Sequence, residues 1–140
     1  MTSRLIIGLI VSVLIGSVSS TVSAASDPTN FLFRKLSFSS AENDQLFRKT
    51  IDEVDALEFE EAGANSNSLV TNVEADNRID GLTFARVLAN AAIIYAQLEQ
   101  PKSALELINR SVSLVEEESV FHEDIYPLMM VKAQILIKQG

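Results

Sequence analysis

The sequence predicts an all-α protein built of antiparallel helical hairpins. Three observations carry this expectation. Apolar residues recur at spacings of three and four over several long segments, the period of an amphipathic helix. Two of those segments are joined only by Glu99-Gln100, a connection so short that the second helix must fold back along the first. The chain also has no Cys, so core packing alone must hold it, which favours regular helices over a small loop-rich scaffold. Its 140 residues, 47% of them hydrophobic, suit one small domain.

Residues 1–25 read as a signal peptide. Arg4 is the only charge before Asp27, and an apolar stretch runs from Leu5 to Val18. It is short for a membrane span of ~20 residues. The small residues Val22-Ser23-Ala24 or Ser23-Ala24-Ala25 supply a cleavage site. The alternative is an uncleaved anchor, because weakly apolar residues continue to Ala25.

Residues 26–40 form an extended arm, opened by Asp27-Pro28-Thr29-Asn30 and closed by Ser37-Phe38-Ser39-Ser40. Phe31 and Phe33 sit in an alternation that could make a short strand, but nothing downstream offers it a strand partner. The arm is expected to dock on the helices of the remaining domain, 41–140.

The first helix is expected over 41–62. Ser39 and Glu42 have capping-box spacing, Phe47, Ile51, Val54 and Leu57 give the apolar period, and Gly63 ends it. Asp52, Glu53, Asp55, Glu58, Glu60 and Glu61 then form a solvated acidic face. Residues 64–81 read as a polar loop with one weak helical turn at most. Within it, Asp76 to Gly81 has a faint calcium-loop pattern, which fails at Arg78 and at Val87 where oxygen ligands are needed. Asp80 serves better as a helix cap.

A second helix, 82–98, is apolar around most of its circumference and must be covered on more than one side. Arg86, Asn90 and Gln97 interrupt it on a narrow stripe that includes Ile93. Pro101 suits the first position of a third helix, 101–116, whose buried stripe is Ala104, Leu105, Ile108, Val112 and Val115. A fourth helix follows over 124–139, with Met129, Ala133 and Leu136 marking its inner face.

A displacement of 41 residues superposes the second helix on the fourth, carrying Leu88 to Met129, Ala92 to Ala133 and Tyr95 to Leu136. The spacing Leu88-x-x-Ala91-Ala92-x-x-Tyr95, followed by Ala104-x-x-x-Ile108, resembles the tetratricopeptide repeat. His122-x-Asp124-Ile125 and the closing Gln139-Gly140 resemble the longer repeats of kinesin light chains. The resemblance covers about 82–140. It departs at Leu88 where the family has Trp, at Ala91 for Leu, at Ile108 for Phe and at Glu116 for the closing Pro. The first helix fits only by spacing, with bulky Ile51 where a small residue belongs. The resemblance implies hairpins stacked as a short α-solenoid, and a concave groove that holds a peptide or a partner domain. It brings no cofactor and no reaction. The groove would be lined by Arg86, Asn90, Ile93 and Gln97, and by the displaced set Pro127, Val131, Gln134 and Lys138.

Composition narrows function further. With Arg4 removed, 10 basic residues face 19 acidic ones, a charge that opposes binding to nucleic acid or anionic lipid. A catalytic triad would have to pass through the single His122, and no G-x-S-x-G elbow is present. One His and scattered carboxylates make a poor metal site. Asn109-Arg110-Ser111 matches a glycosylation acceptor but falls inside a helix. The expectation is therefore a non-catalytic module without metal or cofactor, exported to the periplasm or secreted, that binds another protein or peptide. The alternative is a membrane-anchored subunit of an envelope assembly; a hydrolase or calcium-binding protein ranks lower. The apolar 124–139 helix also suits a homodimer contact.

Overall fold

The computed structural model describes residues 27–118 and 122–139; the leader reading of 1–25 lies outside them. The described residues form a 3-10 turn, Pro28–Phe31, and five α-helices with no strand: α1 (Ala41–Asp55), α2 (Phe59–Glu74), α3 (Gly81–Gln97), α4 (Pro101–Glu118) and α5 (Ile125–Gln139). The protein is all-α. Each helix packs on the next in the chain, and α3 also meets α5 and the 3-10 turn.

The expected single helix over 41–62 and the polar loop after it are both corrected. The chain turns at 56–58 and then continues as α2, through Gly63 and through the Asn65–Ser68 run. The turn is a Schellman closure: Glu58 N–H donates to Glu53 O at 2.8 Å and Leu57 N–H to Val54 O at 3.0 Å. It places Leu57 at φ 61°, and Leu57 is 74% exposed rather than part of the apolar stripe. The α3–α4 turn repeats it, with Gln100 N–H on Tyr95 O, Glu99 N–H on Ala96 O, and Glu99 at φ 58°.

Gly63 is a packing glycine inside α2. A Cβ there would lie 3.0 Å from Leu98 Cδ1 and 3.7 Å from Ile94 Cγ2, both on or beside α3. The polar look of α2 conceals a buried stripe of Ala62, Ser66, Leu69, Val70 and Val73. Its other polar side chains are accommodated locally: Ser68 and Thr71 hydroxyls donate to carbonyls one turn back. Asn65 Nδ2 donates to Glu53 Oε1 at 2.7 Å. Glu53, expected on the solvated acidic face, is thus buried against α2.

The first hairpin corresponds to the second at a displacement of 42 residues, from Leu57 to Glu99. This shift places Ala62 on Ala104, both fully buried, and buried Thr50 rather than Ile51 on Ala92. The first helix therefore does carry a small residue at that position. The cap of α1 is Ser40, which accepts from Asn43 N–H at 3.3 Å, one residue later than the capping-box spacing proposed. Asp80 caps α3 and accepts from Thr83 N–H at 2.7 Å.

α3 is the central element. Ala85, Ala89, Ala92 and Ala96 join the core shared with α4 and α5, while Val87, Leu88 and Ala91 join a second cluster with Phe47 and the α2 stripe. Ser111 Oγ on α4 donates to Ala85 O at 2.6 Å, showing how closely the two helices approach. On α5 the expected inner face is corrected. Met129, Ala133 and Leu136 are exposed, while Leu128, Val131, Gln134 and Ile135 turn inward. A helix apolar on nearly every side gives a periodicity argument no purchase on which face is buried.

Candidate functional site

The stripe expected to line an open groove is largely covered, and the N-terminal arm covers it. The 3-10 turn is capped by Asp27, whose Oδ1 accepts from Thr29 N–H at 3.0 Å, and it packs on both α3 and α5. From Leu32 the arm is extended. Leu32 is 7% exposed and sits in the same core cluster as Ile93, Val131 and Ile135.

Asn90 makes the decisive contact. Phe33 N–H donates to Asn90 Oδ1 at 2.8 Å, and Asn90 Nδ2 donates to Phe33 O at 2.9 Å. One side-chain amide thus pairs with both the N–H and the C=O of one extended residue, as a neighbouring strand would. The contact depends only on backbone, so it grips an extended segment whatever its side chain at that point.

The rest of the stripe lies around this clamp. Gln97 Nε2 donates to Asp27 Oδ1 at 3.2 Å. Arg86 Nε donates to Asp124 Oδ2 at 2.6 Å, and its guanidinium lies 5.6 Å from the centre of the Phe33 ring. The Asp124 hydrogen bond raises the Arg86 pKa above its usual value. Ile93, expected to be uncovered, has no exposed surface, and Asn90 and Gln134 are also buried. Among the eight residues expected to line the groove, Lys138 alone is exposed; it borders a notch with Ala96, Glu99, Pro101 and Ile135.

Gln134 is set apart by its chemistry. It is 7% exposed, and its Oε1 has no hydrogen-bond partner.

Beyond Phe33 the arm crosses to α1. Arg34 forms a two-toothed pair with Asp55 at 2.9 and 3.1 Å, and the Phe38 ring packs 5.8 Å from that of Phe47. Sequence reasoning found the stripe and the docking of the arm separately, and missed that one meets the other. It also missed Asp27, Phe33 and Asp124 as partners. The available signal was the match between a polar stripe on an apolar helix and an apolar segment with unpaired backbone.

The residues weighed for other chemistry have structural roles. His122 Nδ1 accepts from Asp124 N–H at 3.1 Å, where α5 begins. Asp76 takes two hydrogen bonds from the Arg78 guanidinium, each 3.0 Å long. Ser111 is fully buried against α3. Among the described residues, no three His, Asp or Glu side chains gather where they could hold a metal ion, and no helix is long and apolar enough to cross a membrane. No family model, curated protein or solved structure matches this chain.

Proposed function

We propose that the protein is an exported, non-catalytic adaptor of tetratricopeptide-like construction, whose groove binds an extended segment of a partner protein. Two hairpins in a 42-residue register, each closed by the same turn and each with small residues at matching positions, support the repeat reading and its short solenoid. The leader-like sequence at 1–25 supports export. The single observation that carries the function is the Asn90 clamp on Phe33, which accepts from the N–H and donates to the C=O of one residue across 57 residues of sequence. The partner lies where the arm lies, along α3 and α5. Gln134 Oε1 on α5 is buried and has no partner, so a segment extended beside it can offer its N–H.

A synthetic peptide of residues 27–38 tests this. In the full chain bearing Leu32→Asp, the arm should leave its apolar seat, and the labelled peptide should bind saturably by fluorescence anisotropy. Adding Asn90→Ala should weaken that binding about tenfold or more, the scale of two backbone hydrogen bonds at ~0.5–1.5 kcal/mol each. Absence of peptide binding to a folded Leu32→Asp chain would defeat the reading.

A further inference from the structure

The arm shows which side chains of a bound segment the groove meets. Leu32, in extended backbone at φ −61° and ψ 130°, is 7% exposed and packs in one cluster with Ile93, Val131 and Ile135. Phe33, the next residue, is only half-buried, and the Arg86 guanidinium lies over its ring, 5.6 Å from the centre. Adjacent side chains of an extended chain point to opposite sides. One therefore enters the apolar seat while the other turns to the cation.

Asn90 adds register to this division. Its amide holds the N–H and the C=O of Phe33, so the gripped residue is the one beside Arg86 and the residue before it falls in the seat. A slip of one residue sends each side chain to the other's side. Direction is fixed as well. Gln97 meets Asp27 and Asn90 meets Phe33, so the segment runs antiparallel to α3.

Arg86 does not depend on the arm for its position. Its Nε donates to Asp124 Oδ2 at 2.6 Å, and Asp124 is 6% exposed at the head of α5. Asp124 is tied in turn through its own N–H to His122 Nδ1. The guanidinium is thus held in place by the helical body and keeps its place when the arm leaves. A planar cation already in position gains from an aromatic face and gains little from an aliphatic side chain.

We propose, on the footing that the groove binds an extended segment, that the partner's segment carries an aliphatic residue followed directly by an aromatic one, and that Arg86 selects the aromatic. Ile93, Val131 and Ile135 receive the first side chain, Asn90 grips the backbone of the second, and the order of the two is part of what is recognised.

Fluorescence anisotropy with the full Leu32→Asp chain and labelled peptides of residues 27–38 tests the pattern. Phe33→Leu in the peptide should weaken binding about threefold or more, the scale of a cation held over a ring. A peptide with the pair exchanged, Leu32→Phe with Phe33→Leu, has the same composition and should bind about tenfold more weakly or worse, because a ring overfills the aliphatic seat. In the protein, Arg86→Gln with Asp124→Asn removes both charges together and leaves neither buried alone. In that chain Phe33→Leu should cost nothing further, whereas a purely structural Arg86 leaves its cost unchanged. Equal binding of the native and exchanged peptides, or an equal Phe33→Leu loss in both chains, would overturn the proposal and leave the groove a peptide site. Failure of the native peptide to bind would remove the site itself, and the proposal with it.

Discussion

Asn90 illustrates how one side chain can decide what lies on a helix face. An asparagine inside an apolar helix is unfavourable by propensity and worse if buried without partners. Here all that Asn90 needs is met by Phe33, and all that Phe33's backbone needs is met by Asn90. Asn90→Ala leaves the partly buried N–H and C=O of Phe33 unpaired, so it should destabilise the fold by about 1–3 kcal/mol. Limited proteolysis should then cut the arm first, between Phe33 and Phe38, before the helices. A variant with parental melting temperature and an uncut arm would show the clamp to be dispensable. The sequence singled out Asn90 as polar amid apolar neighbours and placed it on an open groove. Its partner lies 57 residues away, and periodicity within one helix carries no information about a contact at that range.

The hairpins are where sequence reading succeeded and failed for opposite reasons. α3 and α4 were legible because Pro101 and a two-residue connection punctuate an otherwise apolar stretch. α2 is hidden in the sequence because its stripe uses Ser66 and Gly63 in place of larger residues, and Gly63, which has the look of a helix terminus, serves close approach to Leu98. The turns themselves hold a testable oddity: both place a non-glycine residue in the left-handed region, Leu57 at φ 61° and Glu99 at φ 58°. That conformation costs roughly 1–2 kcal/mol for a residue with a Cβ. Glycine removes the penalty but gives back part of it through the entropy of the unfolded chain. Leu57→Gly, at an exposed position, should therefore raise the stability measured by urea denaturation by up to about 1 kcal/mol, and Glu99→Gly should do the same. Independent turns should add. A loss of stability from either change would show that the side chain makes a contact worth more than the strain.

At the level of the whole molecule, acidity is the dominant surface property and it has structure. Hydrogen bonds hold the pKa values of Asp44, Asp55, Asp76 and Asp80 below their usual value; the donors are Arg48, Arg34, Arg78 and Thr83 in turn. A carboxylate whose pKa is lowered by folding stabilises the protein above its unfolded pKa of about 3.9, and that contribution disappears as pH falls through the lowered folded value. These groups lie at the surface, where solvent screens the pairs and each contributes little. The melting temperature should thus be flat from pH 7 to about 5 and decline below about 4. A melting temperature that rises steadily down to pH 3 would mean that relief of the net negative charge outweighs the loss of these pairs. The net charge and the absence of Cys were plain in the sequence. Which carboxylates are tied down was not, because Arg34–Asp55 joins segments that only the turn into α1 brings together.

The arm's position also fixes an order of events during synthesis. Its seat is made of residues from α3 and α5, the last of them Ile135, about a hundred residues after Leu32. At ~5–20 residues per second, the ribosome needs on the order of ten seconds to deliver that seat once the arm has been made. α1 and α2, joined by a short turn, are complete well before it. The arm, made before any of the five helices, therefore docks after most of them are complete. Throughout that interval its phenylalanines and unpaired backbone are open to whatever chaperone, translocation factor or protease reaches them.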